Sequence, residues 1–162
     1  MANRFSSIVK KINRAPKALR SFLLSKLFSS QVKFAGTTGI RIEKLDQFES
    51  YLSLKNAKKV QNHIGGVHAV AAAVLAESAT GIVFGMNVPD NKLPLLKTMT
   101  ISYQRRMQGA LQAKASLTAE QVAQIETDEK GSVTVPVVIT DESKLEPIVC
   151  QMEWAWVSKN KS

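Results

Sequence analysis

The sequence has few of the residues that build disulfides, metal sites and reactive thiols. Its 162 residues include a single cysteine, Cys150, and two histidines. One cysteine excludes an internal disulfide and is typical of a reducing compartment, so we expect a cytoplasmic protein. Cys150 lies in an apolar run, which favours an inert core thiol over a nucleophile. The histidines and acids form no cluster with metal-ligand spacing, and we therefore predict no metal site.

Aromatic residues are also scarce, at 6% of the sequence, and they are not interleaved with Lys and Arg. The sequence therefore offers no stacking platform and no recognition helix, and we predict no nucleic-acid partner despite the net charge of +9. There is no internal repeat and no low-complexity tract. A chain of this length is expected to form one domain with one sizeable core.

Acidic residues are absent from residues 1–42, which hold nine Lys or Arg, whereas residues 43–162 hold thirteen of each sign. Apolar residues recur there at helical spacing, and Pro16 is placed to open a second helix. We predict a basic amphipathic helical segment over residues 1–34 and the main domain over residues 35–162.

Three roles are open for this segment: covering one end of a sheet, docking on an anionic membrane, or meeting the phosphates of a ligand. A secretory signal is not expected, because Lys26 and Lys33 interrupt the apolar stretch.

The most apolar run extends from Val67 to Phe84 and is rich in alanine. Because it is apolar on nearly every face, it predicts a helix that other structure surrounds. Glu77 lies in its middle, where an unpaired carboxylate is costly to bury. This residue is therefore expected at a local polar network, at a subunit boundary or in a catalytic site. A membrane span is disfavoured by Glu77 and the polar residues around it.

His68 and Glu77 are nine residues apart, which on one helix is a rise of about 13 Å and half a turn out of phase. They cannot act together within one chain, so a shared site would need a homodimer or tetramer. Gly65 and Gly66 allow close approach of the backbone before His68. The free N–H of Ala69 would point at a developing oxyanion.

The pattern Asn62-x-x-Gly65-x-x-His68, with Glu77 nine residues on, resembles the hotdog-fold acyl-CoA thioesterases of the phenylacetate-pathway and thioesterase-superfamily type. Residues 99–117 are similar to the strand, Tyr, basic turn and strand of that family. The resemblance covers most of residues 38–157. Ala69 and Val70 replace the two glycines that follow the histidine of the family motif, although the Ala69 N–H can still serve as the oxyanion contact.

The resemblance implies a hotdog fold and hydrolysis of fatty-acyl or aryl-acyl thioesters, with coenzyme A as part of the substrate and no other cofactor. Glu77 would be the nucleophile or the base for water, the Ala69 N–H of a partner chain would polarise the carbonyl, and His68 and Asn62 would orient the reacting groups. The implied substrate-binding residues are Gly65, Gly66, Thr98, Arg105 and Arg106. Two alternatives remain: a non-catalytic module that binds acyl-CoA or lipid, and a peripheral membrane protein that acts through its basic N-terminus.

The remaining sequence is consistent with an α+β fold in which an antiparallel sheet curls around the long helix. Pro136 interrupts one run and predicts an edge or a bulge. Trp154 and Trp156 share one face of the last run and are expected in the core or an interface, with a wall for an acyl chain as the alternative. Alternating or apolar runs predict strands at Gly39 to Leu45, Phe48 to Leu54, Leu95 to Arg105, Ala110 to Leu117, Gln121 to Ile125, Val133 to Thr140 and Ile148 to Val157.

Overall fold

Residues 3–159 are described by a computed structural model, and they form an α+β fold with antiparallel strands. The helices are α1 (Arg4–Ile12), α2 (Lys17–Gln31), α3 (Lys33–Thr38), α4 (Ala69–Gly85) and α5 (Ala119–Thr127), with a short 3-10 turn at Lys58–Val60. The strands are β1 (Arg41–Leu45), β2 (Glu49–Leu54), β3 (Lys92–Tyr103), β4 (Leu111–Ser116), β5 (Gly131–Val135), β6 (Val137–Asp141) and β7 (Ile148–Ser158). None of the helices in residues 3–159 has the length and apolar character that a bilayer crossing requires.

Helix α4 is the central element, and the sheet curves around it. It was predicted over Val67 to Phe84 and is observed over Ala69–Gly85. Its alanines let the backbone approach β2, β4 and β7 closely. Leu75, Val83 and Phe84 have no exposed surface. The prediction of a long central helix wrapped by a curved antiparallel sheet is confirmed.

The sheet has two parts, with strand orders β1-β2-β4-β6 and β3-β7-β5. The sequence predicts one strand over Val133 to Thr140, but β5 and β6 are separate strands with Pro136 between them. Proline has no N–H to donate to a ladder, so the pairing changes at this residue. β5 pairs with β7 and β6 pairs with β4, and the chain thereby joins the two parts.

The strand predicted over Gln121 to Ile125 is wrong, because this segment belongs to helix α5. Thr118 and Gln121 form a capping box, in which each side chain bonds the other residue's backbone N–H. Val122 and Ile125, three residues apart, are the buried positions of the helix. The larger apolar residues of this segment thus lie on one side of a helix.

The N-terminal helices pack on the same core as the sheet. Val9 in α1, Leu24 and Phe28 in α2 and Ala35 in α3 are all buried. The Asn3 side chain accepts a hydrogen bond from the Ser6 N–H and donates to the Gly85 and Val88 carbonyls at the end of α4. The three helices between Arg4 and Thr38 are therefore tied to the central helix.

The same helices cover one edge of the sheet. Ser25 Oγ of α2 accepts a hydrogen bond of 2.9 Å from the Ile42 N–H of β1. Asn13 Nδ2 donates to the Leu45 carbonyl at the end of that strand. An edge whose backbone groups are bonded in this way is protected from pairing with another chain.

The opposite edge of the sheet is strand β3, and no strand of the described residues pairs with its outer side. This strand has twelve residues, and four of its large apolar or aromatic side chains are more than two-fifths exposed: Leu93, Leu95, Met99 and Tyr103. A long exposed edge of this composition is suited to pairing with a second strand.

Candidate active site

The middle of α4 borders an apolar cavity of about 450 Å³, and Glu77 is one of the residues that line it. Its wall comes from α1, α2, α3 and α4, together with one residue each of β3 and β7, and includes Phe28, Phe34, Val74 and Trp154. Among the described residues that line it, Glu77 is the only charged one. The cavity therefore places a single acid against a surface suited to a hydrocarbon chain.

The Glu77 side chain is half-buried, and no residue within 3–159 donates a hydrogen bond to its carboxylate. Burial raises the pKa of Glu77 above the ordinary value of 4.5. A carboxylate with a raised pKa and no partner is a stronger base than an exposed one. This environment suits a general base or a nucleophile.

Trp154 closes one side of this cavity and is held in a fixed orientation. Its indole N–H donates to Thr80 Oγ1 at 2.9 Å, and its ring lies 5.6 Å from the ring of Phe84. Gly81 makes this position available, because a Cβ there would lie 2.6 Å from the indole ring. Trp156 is fully buried and donates to the Asp128 carbonyl, so it belongs to the core.

The start of α4 carries a second group of predicted residues. Asn62 Oδ1 accepts hydrogen bonds of 3.1 Å from the N–H groups of Ile64 and Gly66, and so holds the loop before the helix. Gly65 has a φ of 77°, a conformation that favours glycine. His68 is exposed and caps the helix, with Nδ1 accepting from the Val70 N–H at 3.0 Å. Its Nε2 therefore carries the proton as a donor.

Ala69 is the first residue of α4. Within residues 3–159, no acceptor is found for its N–H, as expected for the first turn of a helix. Its carbonyl accepts a hydrogen bond of 2.7 Å from the Tyr103 hydroxyl of β3. Burial, with the nearby Cys150, raises the pKa of Tyr103, and this hydroxyl remains a donor at neutral pH.

Arg105 is bound to the protein rather than free for a ligand. Its guanidinium donates to both carboxylate oxygens of Asp141 at 2.9 Å and to Ser143 Oγ at 2.8 Å. Burial alone would raise the pKa of Asp141, but hydrogen bonds from Ser143, Gln108 and Arg105 outweigh it and lower the pKa to about 2. Arg105 therefore supports the loop after β3.

Arg106 and Thr98 lie in different surroundings. Arg106 is exposed, and its guanidinium donates to the Ile64 carbonyl at 3.3 Å, beside the start of α4. Thr98 pairs with Glu153 on β7. Trp154, next to Glu153, faces the helix, so Glu153 and Thr98 face the other side of the sheet. The structure thus places Arg106 near the predicted site and Thr98 away from it.

The predicted residues fall into two groups within one chain. Asn62, Gly66, His68 and Ala69 lie together at the start of α4, and Glu77 lies in the cavity about 13 Å along the helix axis. The structure does not test the catalytic roles, which stay predictions. Within residues 3–159, no three His, Cys, Asp or Glu side chains lie close enough to share a metal ion.

Other residues of the cavity were not identified from the sequence. Ser78 adds a hydroxyl beside Glu77, Gly81 admits the indole, and Phe34 lines the cavity from α3. The adjacency of Ser78 to Glu77 was visible in the sequence, but the cavity wall joins segments far apart in the chain. Burial raises the pKa of Cys150 to about 11, which makes a nucleophilic thiolate unfavourable at neutral pH.

Comparison with solved structures shows the same fold in several thioesterase-type proteins. PA5026 of Pseudomonas aeruginosa, described as a protein of unknown function and probable thioesterase, is 27% identical with a TM-score of 0.76, over 85% of this chain and 95% of PA5026. The thioesterase PA1618 of the same organism is 16% identical with a TM-score of 0.68, over 83% and 94% of the two chains. The thioesterase HI1161 of Haemophilus influenzae is 12% identical with a TM-score of 0.62, over 80% and 87%.

These similarities confirm the resemblance to hotdog-fold thioesterases and the predicted fold class. No curated protein matches the chain. At the level of sequence families, residues 20–157 match the family described as Domain of unknown function (DUF4442). Because this match spans most of the chain, the protein belongs to the DUF4442 family.

Proposed function

We propose that the protein hydrolyses acyl-CoA thioesters at a site shared by two copies of the chain. The observation that carries this proposal is the lone carboxylate of Glu77 in an apolar cavity. The cavity would take the acyl group, and the raised pKa of Glu77 suits a base or nucleophile directed at a thioester carbonyl. The probable thioesterase PA5026, with the same fold, supports this class of reaction.

The second half of the proposed site is the start of α4 from the other copy. There the free Ala69 N–H would stabilise the developing oxyanion. His68 Nε2–H would donate to the substrate, and Asn62 would keep the loop in shape through its two hydrogen bonds. Exposed Arg106 would meet phosphates of coenzyme A, because Arg105 is engaged by Asp141.

In the proposed reaction, ionised Glu77 removes a proton from water as the water attacks the thioester carbonyl. The carbonyl oxygen becomes an oxyanion that accepts from the Ala69 N–H of the other copy. Collapse of this intermediate breaks the C–S bond, Glu77 returns the proton to the leaving sulfur, and the acid and the thiol of coenzyme A are released. Direct attack by Glu77, followed by hydrolysis of the resulting anhydride, uses the same residues.

The free edge of the sheet supports the pairing of two copies. β3 is long, exposed and apolar, whereas β1 at the other edge is covered by α1 and α2. Association through β3 would bury Met99 and bring two α4 helices to the same side of a continuous sheet. The cytoplasm stays the predicted compartment, because the chain has one cysteine.

The decisive experiment is Glu77→Gln, which keeps the volume and removes the charge. We expect turnover of a panel of acyl-CoAs to fall on the order of a hundredfold or more, while thioester binding persists. Stability at neutral pH should not fall, because the variant no longer has a desolvated carboxylate. The matched control is Glu120→Gln, at an exposed position of α5, which should leave turnover unchanged.

The pH profile gives a second measurement on the same site. If ionised Glu77 is the reacting group, kcat/KM should rise with pH through a pKa above 4.5, the direction in which burial moves it. Wild-type turnover in a folded Glu77→Gln protein would refute the assignment. Loss of thioester binding in that variant would instead favour a non-catalytic binding module.

A further inference from the structure

Helices α2 and α3 carry large apolar side chains that the fold does not bury. On α2, Leu19, Phe22 and Lys26 follow one another at helical spacing, opposite the buried Leu24 and Phe28. Phe22 is 56% exposed, and on α3 Phe34 is 66% exposed. These two phenylalanines have more exposed area than a monomeric surface usually leaves to aromatic residues.

The charge of this region has one sign. Residues 3–38 contain eight Lys or Arg and no Asp or Glu. Of these, Arg4 forms an ion pair with Asp90 at 3.7 Å. The other seven form no ion pair with a described residue: Lys10, Lys11, Arg14, Lys17, Arg20, Lys26 and Lys33. A surface with unpaired positive charge attracts an anionic partner.

The apolar and basic side chains are interspersed. Lys26 Nζ lies 5.9 Å from the centre of the Phe22 ring, and Lys33 precedes Phe34 in α3. A partner that binds both the apolar and the basic side chains must have an apolar layer and negative charge within a few ångströms of each other. The headgroup region of an anionic bilayer has this combination.

The Glu77 cavity reaches the α3 part of this region. Phe34 and Val32 line it and are also exposed, so its apolar interior continues into the outer surface beside α3. An acyl chain that leaves a bilayer at this point would pass from one apolar environment, the lipid, to another, the cavity. This continuity favours a lipid surface over a nucleic acid, because a nucleic acid would leave exposed Leu19 and the cavity without an apolar partner.

We propose that α2 and α3 form a docking face for an anionic phospholipid bilayer. The docking face consists of Leu19, Phe22, Lys26, Lys33 and Phe34. Its phenylalanines enter the headgroup region and its lysines contact lipid phosphates. A second copy of the chain is a poorer occupant, because it would bring two sets of unpaired lysines together. The docking face goes beyond the proposed hydrolysis and does not depend on it.

The test is co-sedimentation of the full chain with vesicles of phosphatidylcholine, alone or mixed with phosphatidylserine. We expect binding to the mixed vesicles, weakening with added salt, and little binding to phosphatidylcholine alone. Lys26→Ala with Lys33→Ala should reduce the affinity about thirtyfold, since each removes one interfacial charge. The matched control is Lys55→Ala with Lys130→Ala, at exposed positions outside the docking face, which should bind within about threefold of the wild type.

A second variant tests the apolar part of the docking face. Phe22→Ser with Phe34→Ser should lower the affinity for the mixed vesicles at least tenfold, whereas Leu145→Ser, which is 57% exposed elsewhere, should not. Binding unchanged in the phenylalanine variant would overturn the proposal, because charge attraction alone would then explain it. If the wild type self-associates without vesicles and the phenylalanine variant does not, the proposal would also be overturned, because the docking face would then bind a second copy of the chain. Lys26→Ala with Lys33→Ala should lose vesicle binding without losing turnover, because neither lysine lines the Glu77 cavity, so the two proposals fail separately.

Discussion

Asp141 offers a stability test whose size can be worked from the structure. Its carboxylate has no exposed surface and accepts four kinds of hydrogen bond: from the Arg105 guanidinium, the Ser143 hydroxyl, and the N–H groups of Gln108 and Ser143. The pKa falls from 3.8 to about 2. That difference corresponds to about 2 kcal/mol of stability at neutral pH, and we expect Asp141→Asn to lower the free energy of unfolding by roughly 2 to 3 kcal/mol.

The contribution of Asp141 to the free energy of unfolding depends on pH in a direction that the pKa shift fixes. The folded state lowers the pKa of Asp141, so its contribution is fully present above pH 3.8 and is lost as the pH falls towards 2. The stability difference between wild type and Asp141→Asn should therefore be largest at neutral pH and shrink in acid. Urea unfolding, followed by tryptophan fluorescence at several pH values, measures both quantities.

A suitable control for Asp141 is Glu49→Gln. Glu49 contacts Lys44 at 3.0 Å and Lys114 at 3.2 Å, but these pairs lie at the surface and are screened by water. Its replacement should change stability much less than Asp141→Asn. Equal losses in the two variants, or a loss at Asp141 that does not vary with pH, would refute the argument from burial and hydrogen bonding.

Three other variants test the buried Lys92, the Trp154 wall of the cavity and the free edge at β3. Lys92→Met should lower the free energy of unfolding by about 3 kcal/mol, measured in urea, since the buried ammonium donates to three carbonyls at the end of α5. Gly81→Ala should displace the indole that walls the cavity, changing tryptophan fluorescence and weakening long-chain acyl-CoA binding, whereas Gly85→Ala, with open space around its Cβ, should leave the fluorescence unchanged. Met99→Glu on β3 should shift sedimentation from dimer to monomer, whereas Val138→Glu, equally exposed at 46% on β6, should not.

The central helix and the position of Glu77 could be predicted because both follow from local composition. An alanine-rich run that is apolar on nearly all sides must be surrounded, and an acid within it is expected at a polar network, a subunit boundary or a catalytic site. His68 was predicted near the start of this helix, and the structure makes it the capping residue before Ala69. These inferences need only a few neighbouring residues.

The errors and omissions concern information that is either ambiguous or non-local. The segment from Gln121 to Ile125 is too short for its apolar residues to establish a period, and the capping box at Thr118 was the local feature that indicates a helix. The cavity could not be foreseen, because Phe28, Phe34 and Trp154 meet only after folding. The engagement of Arg105 by Asp141 likewise joins positions thirty-six residues apart.

The unequal edges of the sheet have a consequence for how far assembly can proceed. A pair formed through β3 in both copies would leave β1 as the terminal strand at each end, and Ser25 and Asn13 already occupy backbone groups there. Growth would then stop at two sheets instead of continuing into a fibre. By this reasoning α1 and α2 prevent further strand pairing at β1. A chain that lacks them would expose a second edge able to pair with another strand, and would polymerise.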